Sequence, residues 1–171
     1  MTDWVRALNP MASMGNEAEA MAAARASAIA ILVGVLYGAF SLVVGLAAVR
    51  AGVEAQLAAD PQPGMTSDLL VNIALGMGVF LLLVQLVLGW VQWARPGVII
   101  PIIFAILVGW GVVQILLSIQ AAASLGPDAP RVPVVTTVVA SVVMLVQLVL
   151  HIAGIRGARA LDRLRTEADR A

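Results

Sequence analysis

Four long uncharged segments alternate with short stretches that carry all the charged residues. No Asp, Glu, Lys or Arg occurs between Arg25 and Arg50, Asp68 and Arg95, Arg95 and Asp128, or Arg131 and Arg156. A membrane-spanning helix needs about 20 apolar residues, and a charge near its centre is costly. The pattern therefore predicts four spanning helices, at residues 26–49, 69–94, 98–122 and 134–156.

The segments between these helices are rich in residues that break helices. Residues 60–64 read Asp-Pro-Gln-Pro-Gly and residues 126–130 read Gly-Pro-Asp-Ala-Pro, whereas Arg95, Pro96 and Gly97 form a short link. The predicted fold is an all-α integral membrane protein with a four-transmembrane-helix bundle. Its expected organisation is a cytoplasmic N-terminal segment (1–25), the transmembrane domain (26–156) and a basic amphipathic cytoplasmic tail (157–171).

The distribution of arginine near the helix ends predicts the orientation in the membrane, because positive residues favour the cytoplasmic side. Eight arginines fall on one side of the predicted topology and two on the other. The larger group is Arg6, Arg25, Arg95, Arg156, Arg159, Arg163, Arg165 and Arg170, and the smaller is Arg50 and Arg131. We expect both termini on the cytoplasmic side of a bacterial cytoplasmic (inner) membrane.

The N-terminal segment shows a helix-start signal and no signal for cleavage. Asn16 followed by Glu19 resembles a capping box, which predicts that the first helix begins near residue 17 and projects from the membrane. Residues 3–9 fit either a short helix on the membrane surface or an unstructured tail. The acidic start lacks the basic region and small-residue site of a secretory signal, so we expect no processing.

Two groups of residues are candidates for the membrane–water interface. Trp90 and Trp93 precede Arg95, where amphipathic rings favour the headgroup level. Beyond the last span, a basic helix face carries Arg156, Arg159, Arg163 and Arg170, and the first three are the candidate lipid-interface residues. This face either sets topology and is solvated, or binds specific lipids or partners.

A short internal similarity suggests a repeat. Leu-Val-Gln-Leu-Val-Leu occurs at 83–88 and at 145–150, and Ala-Ile-Leu-Val-Gly occurs at 30–34 and at 105–109. The two matches are offset by 62 and 75 residues, and a second external loop shorter by 13 residues accounts for the difference. This fits a tandem duplication of a two-helix hairpin. Membrane sequences have low complexity, so coincidence is the alternative.

Each predicted span has one face of small and amide residues, which is typical of helix contacts in lipid. This face in the first span would leave Val35 outward. The predicted packing residues are Gly34, Gly38, Ser41 and Gly45 in the first span, Gln85, Gly89 and Gln92 in the second, Gln114 and Ser118 in the third, and Gln147 and His151 in the fourth.

Gln85 and Gln147 lie near the predicted midplane and share their local sequence. An unsatisfied amide costs several kcal/mol in hydrocarbon, so both are expected to face protein. One interpretation is an amide network that fixes the register of the helices. The other is a polar site for a small solute.

The composition of the chain argues against several kinds of binding site and activity. The chain is 61% hydrophobic and 12% charged, far from a soluble domain, and its net charge of zero argues against nucleic-acid binding. There is no cysteine, and His151 is the only histidine, so metal or haem ligation would require a second subunit. No phosphate-binding glycine motif supports nucleotide use. The spans contain no carboxylate, which argues against the small multidrug-resistance family, a four-helix family with a Glu in its first helix.

These features favour a non-enzymatic tetraspan protein without a cofactor, acting as a structural or interaction subunit of a membrane assembly. The expected partners are the lipid bilayer and other membrane helices, from copies of this chain or from another protein. The alternative is a small oligomeric transporter or pore for a small solute.

Overall fold

The computed structural model describes residues 7–61, 63–124 and 134–170, and every regular element in these ranges is a helix. The four long helices are α1 (Glu17–Ala59), α2 (Ser67–Ala94), α3 (Ile99–Ser124) and α4 (Val134–Ala168). Each contains a segment long and apolar enough to cross a membrane. The prediction of an all-helical chain with four helices of spanning length is confirmed.

Two of the helices are longer than the predicted spans. α1 has 43 residues and α4 has 35. At 1.5 Å per residue they are about 65 and 52 Å long, whereas the hydrocarbon core of a bilayer is about 30 Å thick. Their polar ends, 17–25 in α1 and 157–168 in α4, therefore continue as helix beyond the apolar segments.

The predicted start of α1 is confirmed by its hydrogen bonds. The backbone N–H of Glu19 donates to Asn16 Oδ1 at 2.9 Å, and the N–H of Gly15 donates to the Glu19 carboxylate at 2.9 Å. These bonds satisfy donors that the first turn of a helix leaves free. Ala7 and Leu8 are helical, but most of the surface helix expected at 3–9 lies outside the described residues.

The chain divides into two compact units. The first unit comprises the described residues up to Gly34 and from Leu88 onwards, and the second comprises Val35–Val87. The second unit pairs the C-terminal part of α1 with most of α2. The first unit contains the N-terminal part of α1, the end of α2, and all of α3 and α4.

In the second unit, α1 and α2 pack by reciprocal glycine–leucine contacts. A Cβ atom on Gly38 would lie 2.8 Å from Leu82 Cδ2, and one on Gly78 would lie 2.8 Å from Leu42 Cδ2. Each leucine therefore occupies the space that the opposite glycine leaves open, as close helix contact in lipid requires. Arg50 forms an ion pair with Asp68 in the same unit.

Two residues of α1, Gly45 on the predicted packing face and Val35 outside it, differ from expectation in their surroundings. A Cβ atom on Gly45 would meet nothing within 4 Å, so no described residue packs into the space that this glycine leaves open. Val35, expected to point outward, is buried with 7% exposure. The small residues alone did not define the contact face, since leucine side chains of α1 also take part in it.

In the first unit, an alanine-rich stretch of α1 contacts α4 at backbone distance. A Cβ atom on Gly154 would lie 2.6 Å from Ser27 Cβ, and one on Gly157 would lie closer than 3 Å to backbone atoms of Ala23 and Ala24. The buried residues of α1 here are Ala20, Ala22, Ala23, Ala24, Ala26, Ser27, Ala28, Ala30 and Ile31. The N-terminal segment of the prediction is thus part of a packed core.

Further contacts in the first unit lie beyond the close approach of α1 and α4. Arg165 near the end of α4 bonds Glu17 in the first turn of α1 at 3.0 Å. A Cβ atom on Gly89 of α2 would lie 3.2 Å from Ile31 Cγ2, and one on Gly111 of α3 would lie 3.2 Å from the Met144 side chain of α4. α1 and α4 thus meet at their polar ends as well, and α2 and α3 add contacts to them.

Large apolar side chains cover much of the surface of the helices. Val43, Phe80, Trp110 and Leu116 are each more than half exposed. Water would not stabilise so many exposed large apolar side chains, whereas lipid chains would. The surface and the four apolar helices together suggest a membrane protein.

Candidate functional site

Four polar side chains are buried in the first unit: Ser27, Gln92, Gln147 and His151. A buried polar group costs free energy unless it is hydrogen-bonded, and the cost rises in hydrocarbon. All four lie where α1 contacts α2 or α4. Together they form the buried polar cluster.

His151 is the titratable residue of this cluster, and its side chain is buried with 1% exposure. Its Nδ1 shares a hydrogen bond of 2.8 Å with the Ser27 hydroxyl, and the tautomer decides which group donates. The Phe104 ring of α3 stacks on the imidazole with centroids 5.6 Å apart. His151 Nε2 is buried and has no hydrogen-bond partner among the described residues. The imidazole thus joins α1, α3 and α4.

Gln92 joins the end of α2 to α1 and to the following turn. Its Nε2 donates to the carbonyl oxygens of Ala24 at 3.2 Å and Gly97 at 3.1 Å. Its Oε1 accepts a weaker bond from the N–H of Gly97 at 3.4 Å. One side chain therefore fixes three parts of the first unit.

The two glutamines with the same local sequence have different surroundings. Gln147 is buried, and its Nε2 donates to the carbonyl oxygen of Ala30 at 3.3 Å. Gln85 is half-buried and forms no hydrogen bond with a described residue. The shared hexapeptide does not give them equal partners, so the duplicated hairpin stays a prediction from sequence.

The remaining predicted packing residues are distributed between contacts and exposed surface. Gly34 is half-buried, and Gly89 packs against Ile31. Ser41, Gln114 and Ser118 are exposed. Ser118 donates its hydroxyl to the carbonyl oxygen of Ile115 in its own helix at 2.8 Å. The predicted face of α3 therefore lies at the surface of the single chain.

The predicted interface residues begin at one level of the first unit and continue along α4. Ala24 contacts Gln92 and adjoins Gly157, which brings the end of α2 level with the first charged turn of α4. The Arg25 guanidinium lies 5.1 Å from the centroid of the Trp93 ring, and its Nε donates to the Trp93 carbonyl oxygen at 3.2 Å. The exposed residues near this level are Trp90, Trp93, Arg95 and Arg156, and the exposed Arg159 and Arg163 follow over about 10 Å along α4.

Sequence patterns missed four residues of the site: Arg25, Ser27, Phe104 and Gly157. Ser27 is the one hydroxyl within an alanine-rich stretch, and Gly157 follows Gly154 after three residues on the same helix. Both signals exist in the sequence, but each needs knowledge of the neighbouring helix to be interpreted.

The hydrogen bonds of the buried polar cluster join helices to one another. Its amides donate to backbone carbonyl oxygens of α1, and its histidine shares a hydrogen bond with the Ser27 hydroxyl of α1. Within the described ranges, no three His, Asp or Glu side chains come together where a metal ion could bind. Comparison of the chain with protein-family models, curated proteins and solved structures finds no match.

Proposed function

We propose that this chain is a non-enzymatic four-span membrane protein that serves as a structural or interaction subunit of a membrane assembly. One observation carries the proposal. Gln114 is exposed on α3 and forms no hydrogen bond with a described residue. Its partner would come from another membrane helix.

The position of Gln114 makes its exposure costly in a single chain. It lies about 6 Å from the midpoint of the predicted span 98–122, at 1.5 Å per residue. An amide without a partner at that depth costs several kcal/mol, whereas hydrogen bonds between membrane helices stabilise their contacts. Ser118, one turn further along, gives the same side of α3 a small residue for close approach.

The proposed setting is the cytoplasmic membrane, with both termini on the cytoplasmic side. The eight-to-two distribution of arginine supports this orientation. The exposed tryptophans beside Arg95 support an interface at the same end of the helices. The partner would therefore contact α3 within the bilayer, and the arginine-rich ends would lie in the cytoplasm.

Site-specific photo-crosslinking in cells tests the proposed contact. A photoreactive residue placed at Gln114 is expected to form a covalent adduct with one membrane protein, identified by mass spectrometry. The matched control carries the same residue at Leu116, which is 61% exposed and lies about 160° around the helix from Gln114, at 100° per residue. Equal adducts from both positions, or adducts with lipid alone, would contradict the proposal.

The alternative function, a small oligomeric transporter or pore, is favoured by the same exposed polar side of α3. In that case Gln114 would line a path between copies of this chain. Adducts would then contain this chain alone, and Gln114→Leu would abolish solute flux in reconstituted vesicles. A different protein in the adduct would favour the subunit function instead.

A further inference from the structure

A cavity of about 480 Å³ lies between the segment that precedes α1 and the polar end of α4. Its charged lining consists of Arg156, Arg159 and Arg163, and the other wall includes Ser13 and Met14. Sites for small ligands typically have volumes of about 300–1,000 Å³. Neither the buried polar cluster nor the proposed contact of α3 uses this cavity.

The three arginines lack strong partners within the part of the chain that the structure describes. Arg156 and Arg159 form no ion pair there, and Arg163 approaches Glu167 at 3.9 Å between two exposed side chains. The spacing of three and four residues puts the guanidinium groups on successive turns of one helix face, where like charges repel. A bound anion would remove this repulsion.

Other nearby acidic groups do not neutralise the cavity. The Glu19 carboxylate accepts a bond from the N–H of Gly15. Glu17 pairs with Arg165, and Asp162 is exposed on α4 without an ion pair to a described residue. Among the residues that the structure describes, the lining of the cavity therefore contains three arginines and no carboxylate.

The depth of the cavity indicates which anion it meets. Gly157 adjoins Ala24, which also bonds Gln92, so Arg156 lies at the level of Trp90 and Trp93. Tryptophan side chains favour the headgroup region. From Arg156 to Arg163 the cavity extends about 10 Å along α4, at 1.5 Å per residue, towards the cytoplasm. Lipid phosphates occupy this zone.

We propose that this cavity binds the phosphate group of an anionic phospholipid through Arg156, Arg159 and Arg163. The guanidinium group is always charged, and its planar donors match phosphate oxygens in pairs. Arginines on two turns can hold the phosphate from both sides, and the third can contact a second anionic or hydroxyl group. The site confers a preference for anionic over zwitterionic lipid.

Lipid titration of the full-length protein, monitored by native mass spectrometry in mild detergent, tests the site. Wild-type protein is expected to bind phosphatidylglycerol more tightly than phosphatidylcholine. Arg156→Gln/Arg159→Gln should weaken phosphatidylglycerol binding at least about 100-fold, because a hydrogen bond to a charged group contributes roughly tenfold or more and each replaced arginine loses at least one. Inorganic phosphate is titrated separately as the free anion.

The matched control is Arg95→Gln/Arg170→Gln, which changes the net charge equally outside the cavity. It should weaken binding less than about threefold, since general attraction to an anionic surface is additive and screened by salt. Equal losses in both double variants, or no loss in Arg156→Gln/Arg159→Gln, would overturn the site. Arginine-dependent binding of inorganic phosphate without lipid binding would overturn the lipid assignment. An unchanged thermal midpoint verifies folding of each variant.

Discussion

Gly157→Ala is expected to destabilise the first unit by at least about 2 kcal/mol, at the upper part of the usual range for overpacking. The added Cβ atom would lie closer than 3 Å to backbone atoms of Ala23 and Ala24. Backbone atoms cannot rotate away as a side chain can, so α1 and α4 would have to separate. Reversible unfolding in mixed detergent micelles, followed by tryptophan fluorescence, measures the loss.

Gly109→Ala is the control for this prediction. A Cβ atom on Gly109 would meet nothing within 4 Å, so the same change adds no clash within α3. Alanine has a higher helix propensity than glycine by about 1 kcal/mol, and the control should therefore be neutral or slightly stabilising. Similar effects of the two substitutions would show that α1 and α4 are not in backbone contact.

Gln92→Leu is expected to lower the free energy of unfolding by about 2–3 kcal/mol, because a net contribution of roughly 1 kcal/mol per bond is lost three times. The change also leaves the N–H of Gly97 without its side-chain acceptor. The side chain has 0% exposure, so neither water nor a headgroup can replace these bonds. The same micelle unfolding experiment measures the loss.

Gln85→Leu provides a matched control in the same helix. Gln85 is half-buried and forms no hydrogen bond with a described residue, so its replacement should not lower the free energy of unfolding and should raise it, because an unsatisfied amide is removed from hydrocarbon. If Gln92→Leu and Gln85→Leu lowered the free energy of unfolding equally, the depth of an amide in the membrane would matter rather than its hydrogen bonds. That result would contradict the assigned role of Gln92.

The number of helices and the start of α1 followed from local signals in the sequence. Uninterrupted apolar segments of spanning length between arginines and aspartates are typical of membrane-spanning helices, whatever their neighbours are. Asn16 and Glu19 satisfy the first turn with donors and acceptors only three residues apart. Such features depend only on residues that are close together in the sequence, so they can be predicted without knowledge of how the helices pack.

The candidate site depended on contacts that no local pattern contains. The packing of residues 17–25 was not predicted: Ala23 and Ala24 lie against Gly157 of α4, because a charged boundary ends a span without ending a helix. Gln85 and Gln147 have identical neighbours in sequence, but only Gln147 lies opposite an accessible carbonyl, that of Ala30. The neighbouring helix decides which amide is bonded.

Cysteine-accessibility labelling in intact cells tests the central claim, a four-span chain with both polar ends in the cytoplasm. The chain contains no cysteine, so single variants at Ala18, Met65 and Arg170 give labelling without background. All three positions are exposed in the structure. A membrane-impermeant maleimide is expected to label Met65→Cys in intact cells, and Ala18→Cys and Arg170→Cys only after permeabilisation. Labelling of Ala18→Cys or Arg170→Cys in intact cells, with Met65→Cys protected, would contradict the orientation, and labelling of all three would contradict the four spans.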